Sequence, residues 1–211
     1  MTASDDRVAE GLASLSSKSP ALAEMIGQYG AYSPRATPEP DIFAALARSI
    51  IYQQLAGKAA ASIHARFSAL FPDRVAASAL GDIGFEALRG AGLSTAKANA
   101  VIDLGAHVEA GKLEPERLLK LDDTALTQAL VQVRGIGPWT AQMFMMFQLG
   151  RLDVWPTGDL GVRRGFGHLF CAGDTPTAKA LDSMGDPFRP YRSMVAWYCW
   201  RAADAAKTKT P

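Results

Sequence analysis

Two cysteines in 211 residues, Cys171 and Cys199, are too few for a disulfide framework or a four-cysteine cluster. Both sit among apolar neighbours, which predicts inert core thiols rather than a redox pair. No apolar run is long enough to span a bilayer, and none near the start has the form of a secretion signal. The chain therefore reads as soluble and cytosolic, with no membrane partner. Glycine and proline, at 19 and 12 residues, are near ordinary use, which excludes collagen-like and disordered chains. The three histidines, His64, His107 and His168, lack metal-ligand spacing with cysteines or carboxylates, so no metal and no cofactor is expected. An excess of one charge is missing too: the formal net charge of +1 gives no general case for nucleic acid.

What is present is apolar side chain, 48% of the residues, enough to bury a core as one domain or two packed lobes. Charge is uneven along the chain. Residues 1–150 carry 13 basic and 15 acidic side chains, residues 151–211 carry 9 and 6, and this shift favours an anionic partner near the later part. Apolar spacing is helical almost throughout. Phe43, Leu46, Ala47, Ile50 and Ile51 recur at three and four within Pro40–Leu55, which predicts an amphipathic helix. Ile63, Phe67 and Leu70 predict a second one ending at Phe71-Pro72. Ser94 is placed to cap a helix running through His107 with Gly111 as its stop, and Asp122 to cap the segment bearing Leu126, Leu130 and Val133. No strand-like alternation and no repeat interrupts this, so the fold class is all-α. The polar first residues are expected to fray, Ser33-Pro34, Thr37-Pro38 and Glu39-Pro40 mark a joint after an N-terminal helical segment (1–39), and Lys207–Pro211 reads as a solvated tail.

The richest stretch is Leu130-Val131-Gln132-Val133-Arg134-Gly135-Ile136-Gly137-Pro138-Trp139-Thr140-Ala141. A helix is expected to end near Val133, Gly135 and Gly137 to make a tight turn at positive φ, and Pro138 to open the next helix. Such a turn leaves backbone N–H groups at a helix start where a phosphate can approach, with the Thr140 hydroxyl as a further donor. It would grip a nucleic-acid backbone without reading sequence. An ordinary helix-capping turn would have the same outline.

The run V-x-G-I-G-P-W-T-A resembles the signature of helix–hairpin–helix DNA glycosylases, in particular the 3-methyladenine DNA glycosylase II (AlkA-like) branch. That resemblance covers roughly residues 40–204. It implies a two-lobed helical bundle with a cleft between lobes, a glycosylase domain over 40–211 with its hairpin at 124–149, and the 1–39 segment packing on the C-terminal lobe. The family's Gly/Pro-containing loop leads to a catalytic aspartate at a helix start. Asp153-Val154-Trp155-Pro156-Thr157-Gly158-Asp159-Leu160 fits that loop, with Asp159 at the catalytic position and Asp153 as a structural cap. A carboxylate there sits at the positive end of a helix dipole and could stabilise positive charge developing on a sugar. Read without the family, an aspartate at a helix start is a plain cap.

Further roles follow from the same resemblance. Members with lyase activity place a lysine two residues past the second glycine; here that position is Trp139, which implies a monofunctional enzyme with water as nucleophile. Gln53-Gln54-Leu55-Ala56-Gly57 matches the segment that fills the gap left by a flipped base, making Leu55 the wedge and Gln54 a pocket neighbour. Trp139 and Trp200 match aromatic pocket positions, where each ring could favour a cationic base by about 0.5–2 kcal/mol. Met143 stands where the best-known members carry a pocket tyrosine, and the chain is too short for their N-terminal β-rich subdomain. Lys97, in Gly92-Leu93-Ser94-Thr95-Ala96-Lys97, falls in a segment that lies near DNA. The implied activity is hydrolysis of the N-glycosidic bond of alkylated bases in double-stranded DNA, by a monomer in the cytoplasm at the nucleoid. The rival readings are a glycosylase for another lesion class and a non-catalytic DNA-damage binding module.

Overall fold

A computed structural model gives the fold, and it describes residues 5–33 and 41–208. Twelve α-helices and no strand occur among the described residues. In chain order they are α1 (Asp5–Lys18), α2 (Pro20–Tyr29), α3 (Ile42–Tyr52), α4 (Gly57–Ser68), α5 (Leu80–Gly90) and α6 (Thr95–Glu109). There follow α7 (Pro115–Lys120), α8 (Asp123–Leu130), α9 (Pro138–Phe147), α10 (Leu160–Phe170), α11 (Ala178–Met184) and α12 (Arg192–Thr208). The expected joint at Pro34, Pro38 and Pro40 lies outside the described residues, as do residues 1–4 and 209–211. No helix among the described residues is long and apolar enough to cross a membrane.

Several boundaries follow from caps read in the sequence. Ser94 accepts from Lys97 N at 3.3 Å and opens α6, while Asp122 accepts from Ala125 N at 2.8 Å and opens α8. Other boundaries differ. The helix expected to reach Leu55 stops at Tyr52, because Gln54 takes a left-handed φ of 55° that no helix can hold. The helix carrying Phe67 ends at Ser68 rather than Phe71; Leu70 and Phe71 bond back to Phe67 and Ser68, tightening the last turn ahead of Pro72.

The chain divides into two compact units, one drawn from within Thr37–Phe144, the other from within Met1–Ala36 and Met145–Pro211. In the contiguous unit, α3 and α5 pack on α6, and Phe43, Leu46, Ile50, Phe67, Leu88, Val101 and Leu104 are buried. In the discontinuous unit, α10 packs on α12 and α12 on α2. The closest approach is at Gly165, where any Cβ would overlap the Cys199 carbonyl, so the α10–α12 crossing requires glycine. Phe166, Phe170, Phe188 and Trp155 form an aromatic cluster beside it. Asp153 is bound by Arg192 through Nε at 2.8 Å and Nη2 at 3.0 Å and by Arg189 at 2.9 Å, and it accepts from Arg192 N at 3.4 Å. It caps α12, as expected of a structural residue, but chiefly as the centre of an ion-pair cluster.

Of the two thiols, Cys199 is buried and desolvation pushes its pKa well up, which leaves it inert. Cys171 departs from expectation. It is half-buried, because α10 ends there and the chain turns out through Ala172, at φ 51°, and Gly173.

Candidate active site

In the contiguous unit, the wedge segment and the hairpin are each built by short-range signals. After α3, Gln53 is extended and Gln54 is exposed at positive φ. That turn presents Leu55 with 39% of its surface exposed, so the side chain assigned as a wedge stands at the surface rather than in the core. Lys97 does not extend toward solvent. Its Nζ donates to Ile51 O and Gln53 O, both at 2.8 Å, and burial lowers its pKa.

The hairpin starts three residues earlier than the sequence predicts, since α8 ends at Leu130 and i→i+3 bonds from Val133 and Ile136 tighten the chain. The two glycines are not alike. Gly135 has φ 80° and a Cβ there would sit 3.0 Å from the Ala100 Cβ. Gly137 is not at positive φ, against expectation, and a Cβ on it would meet nothing. Folding therefore demands glycine at 135, while at 137 the bare backbone simply faces outward. Pro138 opens α9 and Trp139 is 47% exposed on its first turn. Thr140 is a correction to the reading of it as a phosphate donor. It is only 5% exposed, and its hydroxyl receives a hydrogen bond from Gln53 Nε2 at 3.2 Å, because the helix turns that side chain inward. Met143, one turn on, is half-buried.

In the discontinuous unit the loop Asp153–Gly158 delivers Asp159 as the N-cap of α10. Its Oδ1 accepts from Val162 N at 2.8 Å, the bond of an ordinary cap. A second donor is not ordinary: Trp200 Nε1 reaches the same oxygen at 2.9 Å. The indole is fixed by Phe147, whose ring lies 5.8 Å away at 31°, and by Gly161, where a Cβ would come within 2.8 Å of Trp200 Cδ1. Trp200 also borders an open depression of about 460 Å³ lined by Tyr29, Arg201, Asp204 and Ala205. The sequence assigned Trp200 to a stacking surface and gave no sign of this bond. Gly161, two residues after the aspartate, was the one local hint that something large packs there. No group of three or more potential metal-ligating side chains occurs among the described residues.

An all-helical chain with a glycine hairpin between two helices, and a helix-capping aspartate held by an indole, has the build of a helix–hairpin–helix base excision repair protein. The chain belongs to that family: the model of the HhH-GPD superfamily of base excision DNA repair proteins matches residues 47–189. A DNA-3-methyladenine glycosylase 1 from Schizosaccharomyces pombe is 30% identical over 196 residues, covering 90% of this chain and 84% of the relative. The crystal structure of a DNA-3-methyladenine glycosidase from Bacillus halodurans superposes with a TM-score of 0.84 at 34% identity, covering 94% of this chain and 91% of that one. A 3-methyladenine DNA glycosylase from Schizosaccharomyces pombe, solved in complex with abasic DNA, gives a TM-score of 0.81 at 28% identity, covering 91% of this chain and 95% of that one.

Proposed function

We propose that this chain is a monofunctional DNA glycosylase that hydrolyses the N-glycosidic bond of alkylated bases, of the 3-methyladenine and 7-methylguanine type, in double-stranded DNA. The observation that carries the reading is Asp159, a carboxylate whose Oδ1 is fixed by both the Val162 N–H and the Trp200 indole. The names of the most similar relatives support the substrate class, and the relative solved with abasic DNA supports a duplex ligand. In the proposed reaction the C1′–N bond breaks and positive charge grows on the sugar, where a fixed anion stabilises it with no reorganisation. Water then adds its oxygen to C1′ and gives up a proton. A methylated purine that is already cationic departs as a neutral molecule, so no acid is needed to protonate it. Residue 139 is Trp, which offers no amine for a Schiff base and supports hydrolysis without strand cleavage.

Gly135, Gly137 and the start of α9 would hold the DNA backbone, with Leu55 filling the gap and Gln54, Trp139, Trp200 and Met143 lying near the extruded base. The 1–39 segment would serve the lobe that carries Asp159. The enzyme would act as a monomer on the chromosome in the cytoplasm. The test is release of free methylated bases from methylated duplex DNA, read by chromatography. Asp159→Asn is expected to slow release by about a thousandfold or more, with affinity for lesion DNA within a few-fold. Release at the wild-type rate by a folded Asp159→Asn protein would sink the catalytic assignment. No release by the unmodified chain, with lesion DNA still bound, would make it a damage-binding module.

A further inference from the structure

We infer that Gln53, Lys97 and one face of α6 fasten the wedge turn to the hairpin, so that capture of the DNA backbone and insertion of Leu55 are set by a single rigid piece. The inference rests on the reading of Leu55 as the wedge.

Four contacts carry it, all within the contiguous unit. Gln53, immediately before the strained Gln54, sends its Nε2 to Gly135 O at 2.9 Å and to Thr140 Oγ1 at 3.2 Å. A carbonyl only accepts, so the amide nitrogen must be the atom facing Gly135. The same segment is held from behind by Lys97, which gives two protons to the carbonyls of Ile51 and Gln53. Further along α6, Ala100 abuts Gly135, and Asp103 Oδ2 accepts from Arg134 N at 2.7 Å. Lys97, Ala100 and Asp103 are three residues apart and share one helix face. Lys97 thus holds the wedge turn while Ala100 and Asp103 hold the hairpin, and Gln53 closes the circuit directly between the two.

The arrangement explains two features that an isolated wedge would not need. A non-glycine residue at φ 55° persists only where its surroundings over-determine it, and here the residue before it is held through side chain and carbonyl at once. An ammonium drawn partly out of water, as the lowered pKa of Lys97 shows, requires compensation, which the two carbonyls supply. Neither Gln53 nor Lys97 needs to touch DNA. They are positioning residues: they spare the complex the ordering of the wedge turn after the backbone is gripped.

The test is a double-mutant cycle in single-turnover release of 7-methylguanine from a duplex oligonucleotide, with Leu55→Ala and Gln53→Ala singly and together. Gln53→Ala is expected to slow release about tenfold in the wild-type background and to add almost nothing in the Leu55→Ala background, with a thermal midpoint close to wild type. Lys97→Met should behave alike. Gln53→Glu keeps the side-chain volume but turns a carboxylate on the Gly135 carbonyl, so it should reproduce the loss even if the alanine variant folds poorly. Fully additive losses, or unimpaired duplex release by Gln53→Glu and Lys97→Met, overturn the coupling and leave the wedge standing. Unimpaired release by Leu55→Ala alone removes the wedge, and the coupling with it. Absence of release by the unmodified enzyme is a different failure, that of the glycosylase reading.

Discussion

Asp159 Oδ1 takes two donors of different origin, one from its own helix and one from Trp200, 41 residues away. The indole is therefore an anchor for the carboxylate before it is a surface for a base. Replacing Trp200 by Phe keeps an aromatic ring against Phe147 but removes the donor to Oδ1. A hydrogen bond to a charged group contributes about 1.5–3 kcal/mol, so excision is expected to fall by roughly ten- to a hundredfold. The loss should be similar for cationic 7-methylguanine and neutral hypoxanthine, measured as single-turnover rates with thermal stability checked in parallel. A loss confined to the cationic lesion would return Trp200 to the stacking role the sequence gave it. Asp159 itself was legible because the motif before it and the helix after it are local. The indole's bond was not, since nothing in the sequence pairs positions that far apart except the absent side chain at Gly161.

At the scale of the element, the hairpin's glycines separate folding from function. Gly135 holds φ 80° against Ala100, and a methyl group there must strain the turn or push α6 away. Gly135→Ala is expected to cost about 1–3 kcal/mol of stability, lowering the thermal midpoint by roughly 2–10 °C. Gly137 meets no neighbour and has no positive φ, so Gly137→Ala should leave stability within about 0.5 kcal/mol. Its effect should fall on DNA: an added methyl on an outward backbone holds a phosphate away, weakening damaged and undamaged duplexes alike by roughly tenfold, about 1.4 kcal/mol. Calorimetry and fluorescence anisotropy on the two variants would read these outcomes. Selective weakening for damaged DNA in Gly137→Ala would mean that this backbone is no general clamp. The sequence treated both glycines as turn residues because composition records the missing side chain and not its reason. Thr140 and Lys97 were misread alike: each belongs to a motif that suits DNA, yet each side chain points at a backbone carbonyl or an amide reached only through the tertiary fold.

For the whole molecule, the division into units crosses the chain order. Thr37–Phe144 is one stretch, whereas the unit bearing Asp159 joins residues before it to residues after it. In that second unit Gly11 of α1 fits beneath Met194 and Tyr191, and Tyr198 of α12 donates to Gly30 O at 2.8 Å. Removing residues 1–33 would bare buried side chains of α12, including Met194, Val195 and Tyr198. The shortened protein is expected to be poorly soluble and to lack cooperative melting of that unit by calorimetry; a truncated chain with the full melting enthalpy would show α1 and α2 to be dispensable. The helical periodicity of these segments was readable, but their docking onto α12 was not, because apolar faces state that they are buried and not against what.

That interleaving also orders events during synthesis. The stretch Thr37–Phe144 holds all of its own contacts, so once it clears the ribosome it can fold while the remainder is still being translated. The earlier helices α1 and α2 emerge first yet must wait for α12, the last helix made. A nascent or prematurely terminated chain thus owns the hairpin and Leu55 but has no seat for Asp159, since the Trp200 anchor comes off the ribosome near the end. The catalytic anion is set only when the polypeptide is almost finished, which keeps partial products inert.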